Sequence, residues 1–163
     1  MTRVLVAGIG NIFLGDDGFG PEVVRRIPPL TDTAVRVTDY GIRGMHLAYD
    51  LLDEWDALVL VDALPDRGAP GELRVFRAEP DTAAAGLDAH AMDPGAVFAA
   101  VQALGGTVPP TVIVGCQIAS IAEGIGLTAP VAAAIEPAIA AVESVLADIS
   151  QNQNQNHSHR QEV

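Results

Sequence analysis

At 163 residues the chain has the length of one domain with one sizeable core. Its formal net charge of −12 opposes the counterion displacement on which non-specific nucleic-acid binding depends, so nucleic acid is excluded as an expected partner and cations or a basic protein are favoured. The single cysteine, Cys116, permits no internal disulfide and fits a reducing compartment, so a cytoplasmic location is expected.

In chain order, Arg3 to Ala7 carries VLVA, a β-branched apolar run without alternation, and is predicted as a strand covered on both faces. The opening MTRVLVAGIGNIF is short, broken by glycine and followed by acids, unlike a signal peptide. Residues 11 to 22, NIFLGDDGFGPE, then form a turn with adjacent carboxylates, Asp16 and Asp17, among Gly15, Gly18 and Gly20. PEVVRRI places Val23, Val24 and Ile27 on one helical face, with Pro21 in the first turn and Pro28-Pro29 as the stop. Val35 to Thr38 alternates like a strand nearer an edge. MHLAYDLLDEW groups Leu47, Ala48, Leu51 and Leu52 at helical spacing.

Ala57 to Val61, ALVLV, is a second buried strand; Glu72 to Phe76 is edge-like. Residues 93 to 104 read as a helix, and Thr111 to Val114, TVIV, as a further buried strand. A stripe of Val131, Ile135, Ile139, Val142, Leu146 and Ile149 predicts a helix from Thr128 to Ile149, with Thr128 as N-cap and Pro137 as a kink or break. Beyond it, QNQNQNHSHRQEV has too little apolar surface to offset its ordering entropy. The expected organisation is therefore one α/β domain over 1–149 and a disordered polar tail over 150–163. Strands alternating with helices predict a three-layer α/β/α sandwich around a mostly parallel five-stranded sheet. No uninterrupted apolar run reaches the length of a bilayer, so no membrane association is expected.

In such sheets, sites gather where strands end at the carboxyl edge. That rule selects the Asp16-Asp17 turn, the VDALPDRG turn with Asp62, and the GCQ turn with Cys116. Gly8-Ile9-Gly10 opens like a dinucleotide fingerprint, but Phe13 stands at the third glycine and the carboxylates that follow repel phosphate; no organic cofactor is expected. Of Asp16 and Asp17, one acid suffices to cap the following helix, and the other is free to bind a metal. Asp62 emerges from a buried strand, where an unpaired charge is costly, so it must sit in a crevice, be paired or hold a cation.

His90 in LDAHAMDP reads as a surface histidine unless the fold carries it to Asp17 and Asp62; two carboxylates and an imidazole suit a divalent transition metal. Neither HExxH nor paired CxxC is present, so the ordinary zinc-protease signature is absent. Cys116 offers a nucleophile, with His90 as base and Asp62 orienting it, but reads better as a small buried apolar residue. His157 and His159 belong to the solvated tail.

The ordered segments GIGNIFLGDDGFGPEVV, DYGIRGMHLAYDLL, ALVLVDALPDRGAPGEL, DAHAMDP and VGCQIASIAEGIGLTAPV resemble the hydrogenase maturation protease family, over about residues 3 to 147. The resemblance implies an endopeptidase that removes the C-terminal extension from the precursor of a [NiFe]-hydrogenase large subunit after nickel insertion. It implies a metal-binding trio of Asp17, Asp62 and His90 that reads nickel carried by the substrate, with Asp17 and Asp62 as catalytic carboxylates. Asp16 and Asp39 are further candidates beside them, and the glycines of GDDGFG are expected to admit the extended substrate segment. Two departures, Ile118 where many members have proline and DYGI around Asp39, touch substrate contacts. Cleavage then proceeds either through a carboxylate acting as general base or through the substrate's metal polarising the carbonyl. The alternatives are a noncatalytic nickel-sensing or nickel-handling module and, less well supported, a cysteine hydrolase using Cys116. A monomer is expected.

Overall fold

The unbroken apolar runs of the sequence become the strands that are covered on both faces. The computed structural model describes residues 2–78 and 93–160, with side chains up to residue 158. Strand β1 (Val4–Ile9) is buried at every position, and β3 (Ala57–Leu64) at its first six. With β2 (Val35–Gly41), β4 (Leu73–Ala78) and β5 (Thr111–Gln117) they form a five-stranded sheet in the order β2-β1-β3-β5-β4. Neighbours are parallel except β4, which runs antiparallel to β5 at the edge.

Each expected strand is present, and β1, β3 and β5 run two or three residues further toward their carboxyl ends than the apolar runs suggest. The reason is the ladder: Asp62, Ala63 and Leu64 pair with Gly115, Cys116 and Gln117. A backbone hydrogen-bond partner on the next strand outweighs the polarity of a single side chain. Pairing of β3 with β1 ends earlier, at Gly8 and Val61. The residue after Val61 is Asp62, so this acid stands just beyond the last β1 partner.

Alternation along the strands divides the core. Val4, Val6, Val59, Val61, Val114 and Cys116 pack under α1 (Phe19–Arg26) and under α4 (Ala129–Ala132) and α5 (Ile135–Arg160). Leu5, Ala7, Leu58, Leu60 and Ile113 pack under α2 (Gly44–Asp50) and α3 (Pro94–Ala103). This is the expected three-layer α/β/α arrangement.

The last helical stripe is interrupted after Ala132 and resumes at Ile135. Pro137 therefore lies in the first turn of α5, where a missing N–H leaves no hydrogen bond unmade. Helix α5 continues to Arg160, in contrast to the disorder expected from residue 150. Elongating an existing helix carries no nucleation cost, and the added polar side chains stay largely exposed. Within Ala129–Ser158 an 18-residue window reaches a mean hydropathy of 1.5, enough by length and composition to cross a bilayer, although charged residues and prolines interrupt its apolar runs. Its apolar residues, Val131, Ile135, Ala138, Ile139 and Val142, are those buried against the sheet.

Candidate active site

The sheet's carboxyl edge brings the first connection over the end of β3. After β1 the chain turns at Gly10, whose φ is +140°, and enters a single 3-10 turn, Gly15–Gly18, directly ahead of α1. The glycines here serve close packing. A Cβ on Gly20 would collide with the carbonyl oxygens of Ile9 and Val61, and one on Gly10 with that of Asp17. The absence of side chains thus lets the start of α1 rest on β1 and β3. This corrects the expectation that the GDDGFG glycines leave room for a substrate segment; Gly18 and Gly20 are buried against the chain itself.

The two adjacent acids have opposite surroundings. Asp16 is fully buried. Its Oδ2 accepts from the N–H groups of Ala119 (2.9 Å) and Ser120 (3.1 Å) and from the Thr128 hydroxyl (2.7 Å), while Oδ1 accepts from the Thr128 N–H (2.7 Å). Burial works against its charge, but the Thr128 bonds, with those from Ala119 and Ser120, prevail and hold its pKa below the ordinary value. Asp16 is therefore a tie between the β1–α1 turn and the 118–128 connection. Thr128 precedes α4 as expected, yet its hydroxyl serves Asp16 rather than capping that helix.

Asp17 is half-buried and accepts one bond at Oδ2, from the Asn11 N–H at 2.8 Å. Asp62 is 7% exposed. Desolvation pushes its pKa well above the usual carboxylate range; the charges of Asp17 and, to a smaller extent, Asp93 add to this, against a bond from the Ala63 N–H. The carboxyls of Asp17, from the β1–α1 connection, and Asp62, from the end of β3, are thus within electrostatic reach of each other. A buried carboxyl beside a second acid is a proton carrier, or a ligand awaiting a cation that removes its desolvation penalty.

Asp39 lies in β2 opposite Gly8. Its Oδ1 accepts from the Gly41 N–H at 2.9 Å and its Oδ2 is 3.8 Å from Arg25 Nε, so its carboxylate steadies the end of β2. His90 falls outside the described residues. Among the described residues, no three of His, Cys, Asp and Glu are gathered in a metal-binding group.

Cys116 is buried in the core beneath α5. Burial, helped by the charge of Asp16 and opposed by a bond from the Gly71 N–H, pushes its thiol up to about 11. A thiol so placed is not an available nucleophile at neutral pH, which removes the basis for the cysteine-hydrolase reading.

Two polar residues escape the sequence reading. Asp93 caps α3 through the Gly95 N–H (2.9 Å) and bears electrostatically on Asp62. Its signal is the Asp-Pro pair at the helix start. Gln117 is buried at the end of β5, where its Oε1 accepts from the N–H groups of Arg67 (3.0 Å) and Ala69 (3.2 Å) and shapes the connection after Asp62.

Fold and site together define a three-layer α/β protein with an acid pair at the carboxyl edge of its sheet, suited to activating water or meeting a cation. The sequence profile of the hydrogenase maturation protease family matches residues 21–145. The chain is 32% identical over 155 residues to the hydrogenase 2 maturation protease of Escherichia coli (strain K12), which spans 92% of each protein. It is 34% identical over 154 residues to the hydrogenase expression/formation protein HupD of Bradyrhizobium diazoefficiens, spanning 90% of this chain and 79% of that one. The solved structure of the hydrogenase maturating endopeptidase HybD from E. coli superposes with a TM-score of 0.77 at 31% identity, covering 93% of this chain and 94% of that one. The chain belongs to the hydrogenase maturation protease family, and its activity is that of a peptidase.

Proposed function

We propose that this peptidase removes the C-terminal extension of a [NiFe]-hydrogenase large-subunit precursor in the cytoplasm. In this reading the precursor's own nickel is the recognition feature, met by Asp17, Asp62 and His90. The observation that carries the reading is the desolvated Asp62 carboxyl beside Asp17 at the sheet's carboxyl edge. A cation carried into that place by the substrate removes the penalty for ionising Asp62, so the site favours precursor that already holds its metal. Carboxylate and imidazole donors without thiolate hold nickel only moderately, which suits reading a metal and releasing it with the product.

For the cut itself, a carboxylate of the pair accepts a proton from water as the water oxygen bonds to the scissile carbonyl carbon. The carbon–nitrogen bond then breaks, and the proton passes to the leaving amine. Asp17 is anchored by the Asn11 N–H, and Asp62 by its place in the β3–β5 ladder, so both are presented without reorganisation.

The test is the mass of a large-subunit precursor after incubation with this protein, in nickel-loaded and nickel-free forms. Loss of a C-terminal peptide only from the loaded form, abolished by Asp17→Ala, is the expected result. Equal loss from both forms would overturn nickel recognition, and loss from neither would overturn this precursor as the substrate.

A further inference from the structure

Exposed apolar side chains gather along α2 and the turns at its two ends. Ile42, Met45, Tyr49 and Leu52 are 59%, 52%, 55% and 41% exposed. Met45 and Tyr49, four residues apart, share one face of α2, with Ile42 in the turn before the helix and Leu52 in the turn after it. The opposite side of the same segment, Leu47, Ala48 and Leu51, is buried in the core. An ordinary surface helix is apolar on its inner side only, so α2 carries one apolar face more than the fold uses.

Backbone bonds carry this face to the acid pair. The Gly10 N–H donates to the Gly41 carbonyl at 3.0 Å, which lays the turn after β1 beside the start of the stripe. That turn carries Phe13, 61% exposed. The Gly124 N–H donates to the Phe13 carbonyl at 2.8 Å and brings in Ile125, 77% exposed.

We propose that this apolar face, from Leu52 along α2 to Phe13, docks the folded body of the precursor whose C-terminal segment is delivered to Asp17 and Asp62. The inference rests on the proposed function and adds where the rest of the substrate sits. Continuity argues for this occupant: the face begins at the turn that holds Asp17, so a chain led to the acid pair has its body against the rim. Charge argues against a second copy, because each copy brings −12, and mutual repulsion opposes their approach. Asp53 and Glu54, both exposed, close the far end of the stripe, so the matching surface is apolar with a basic margin there.

The experiment measures binding of nickel-loaded precursor to the full chain in an Asp17→Asn background that stops turnover, with every variant compared against Asp17→Asn alone. A triple substitution, Met45→Gln, Tyr49→Gln and Leu52→Gln, is compared with a control on the far sheet edge, Val75→Gln with Phe76→Gln, where the native residues are 50% and 41% exposed. Circular dichroism checks that each variant is folded. Expected is a weakening of about tenfold or more for the α2 set and less than about twofold for the β4 set; in the otherwise native enzyme the α2 set raises KM and leaves kcat unchanged. Unchanged affinity with the α2 set, in a protein that still cuts the precursor, overturns the docking surface alone. A native dimer that the α2 set dissociates assigns the face to a second copy and overturns it too. A native chain that neither binds nor cuts the precursor overturns the proposed function and this inference with it.

Discussion

Asp16 and Asp17 are chemically identical neighbours with different work, and substitution should separate them. Asp16→Asn keeps the volume but replaces one acceptor oxygen by an NH2 group, which faces either the Ala119 and Ser120 N–H groups at Oδ2 or the Thr128 N–H at Oδ1. The expected loss is about 3 kcal/mol, or a fall in Tm of roughly 10 °C, read by thermal melting. The two perturbed acids also pull the pH profile in opposite directions. Asp16 has a folded pKa below its ordinary value of 3.8, so it contributes stability that is present above that pH and is lost as pH falls through the folded value. Asp62 has a folded pKa above 3.8, so the native chain keeps its proton longer than the unfolded chain and stability declines as pH rises above 3.8. Asp62→Asn should remove that decline and raise Tm near neutral pH, while cleavage is lost. Melting curves at acid and neutral pH, alongside the cleavage assay, check both halves.

At the scale of the element, the seating of α1 and the length of α5 are the features to test. Gly20→Ala places a methyl group against two backbone oxygens, of Ile9 and Val61, neither of which has a rotamer to move. The expected cost is about 3 kcal/mol or more, measured by urea unfolding. A change under about 1 kcal/mol would mean that α1 does not sit so tightly on the sheet. The far half of α5 is the opposite case. Its buried residues end at Val145, with Leu146 and Ile149 packed at the margin of the core. A chain ending at Ser150 should keep its Tm within about 2 °C and lose helical signal in proportion to the residues removed.

For the whole molecule, a net charge of −12 imposes repulsion that salt screens. Raising salt from about 10 mM to about 150 mM should increase Tm by a few degrees, because the Debye length shrinks below the size of the domain. A Tm indifferent to salt would show that the acids are already balanced locally, as Glu22 is by Arg25 and Arg26 and Asp50 by Arg36.

Legible from neighbouring residues alone were VLVA, ALVLV and TVIV as buried strands, the faces of the helices, and the carboxyl ends of β1, β3 and β5 as the place of the acids. Unbroken β-branched runs and helical spacing are local patterns, and burial follows them directly. Strand ends were less legible, since β3 continues through Asp62 on the strength of its β5 partner. Which of Asp16 and Asp17 turns inward depends on the folded chain, because the donors that hold Asp16 lie more than a hundred residues away. The tertiary structure alone also placed Asp93 within electrostatic reach of Asp62, whereas the burial of Cys116 was already expected from its apolar strand. The reason is the same for each acid: the environment of a carboxyl is set by strand order and long-range pairing, which no local window of sequence contains.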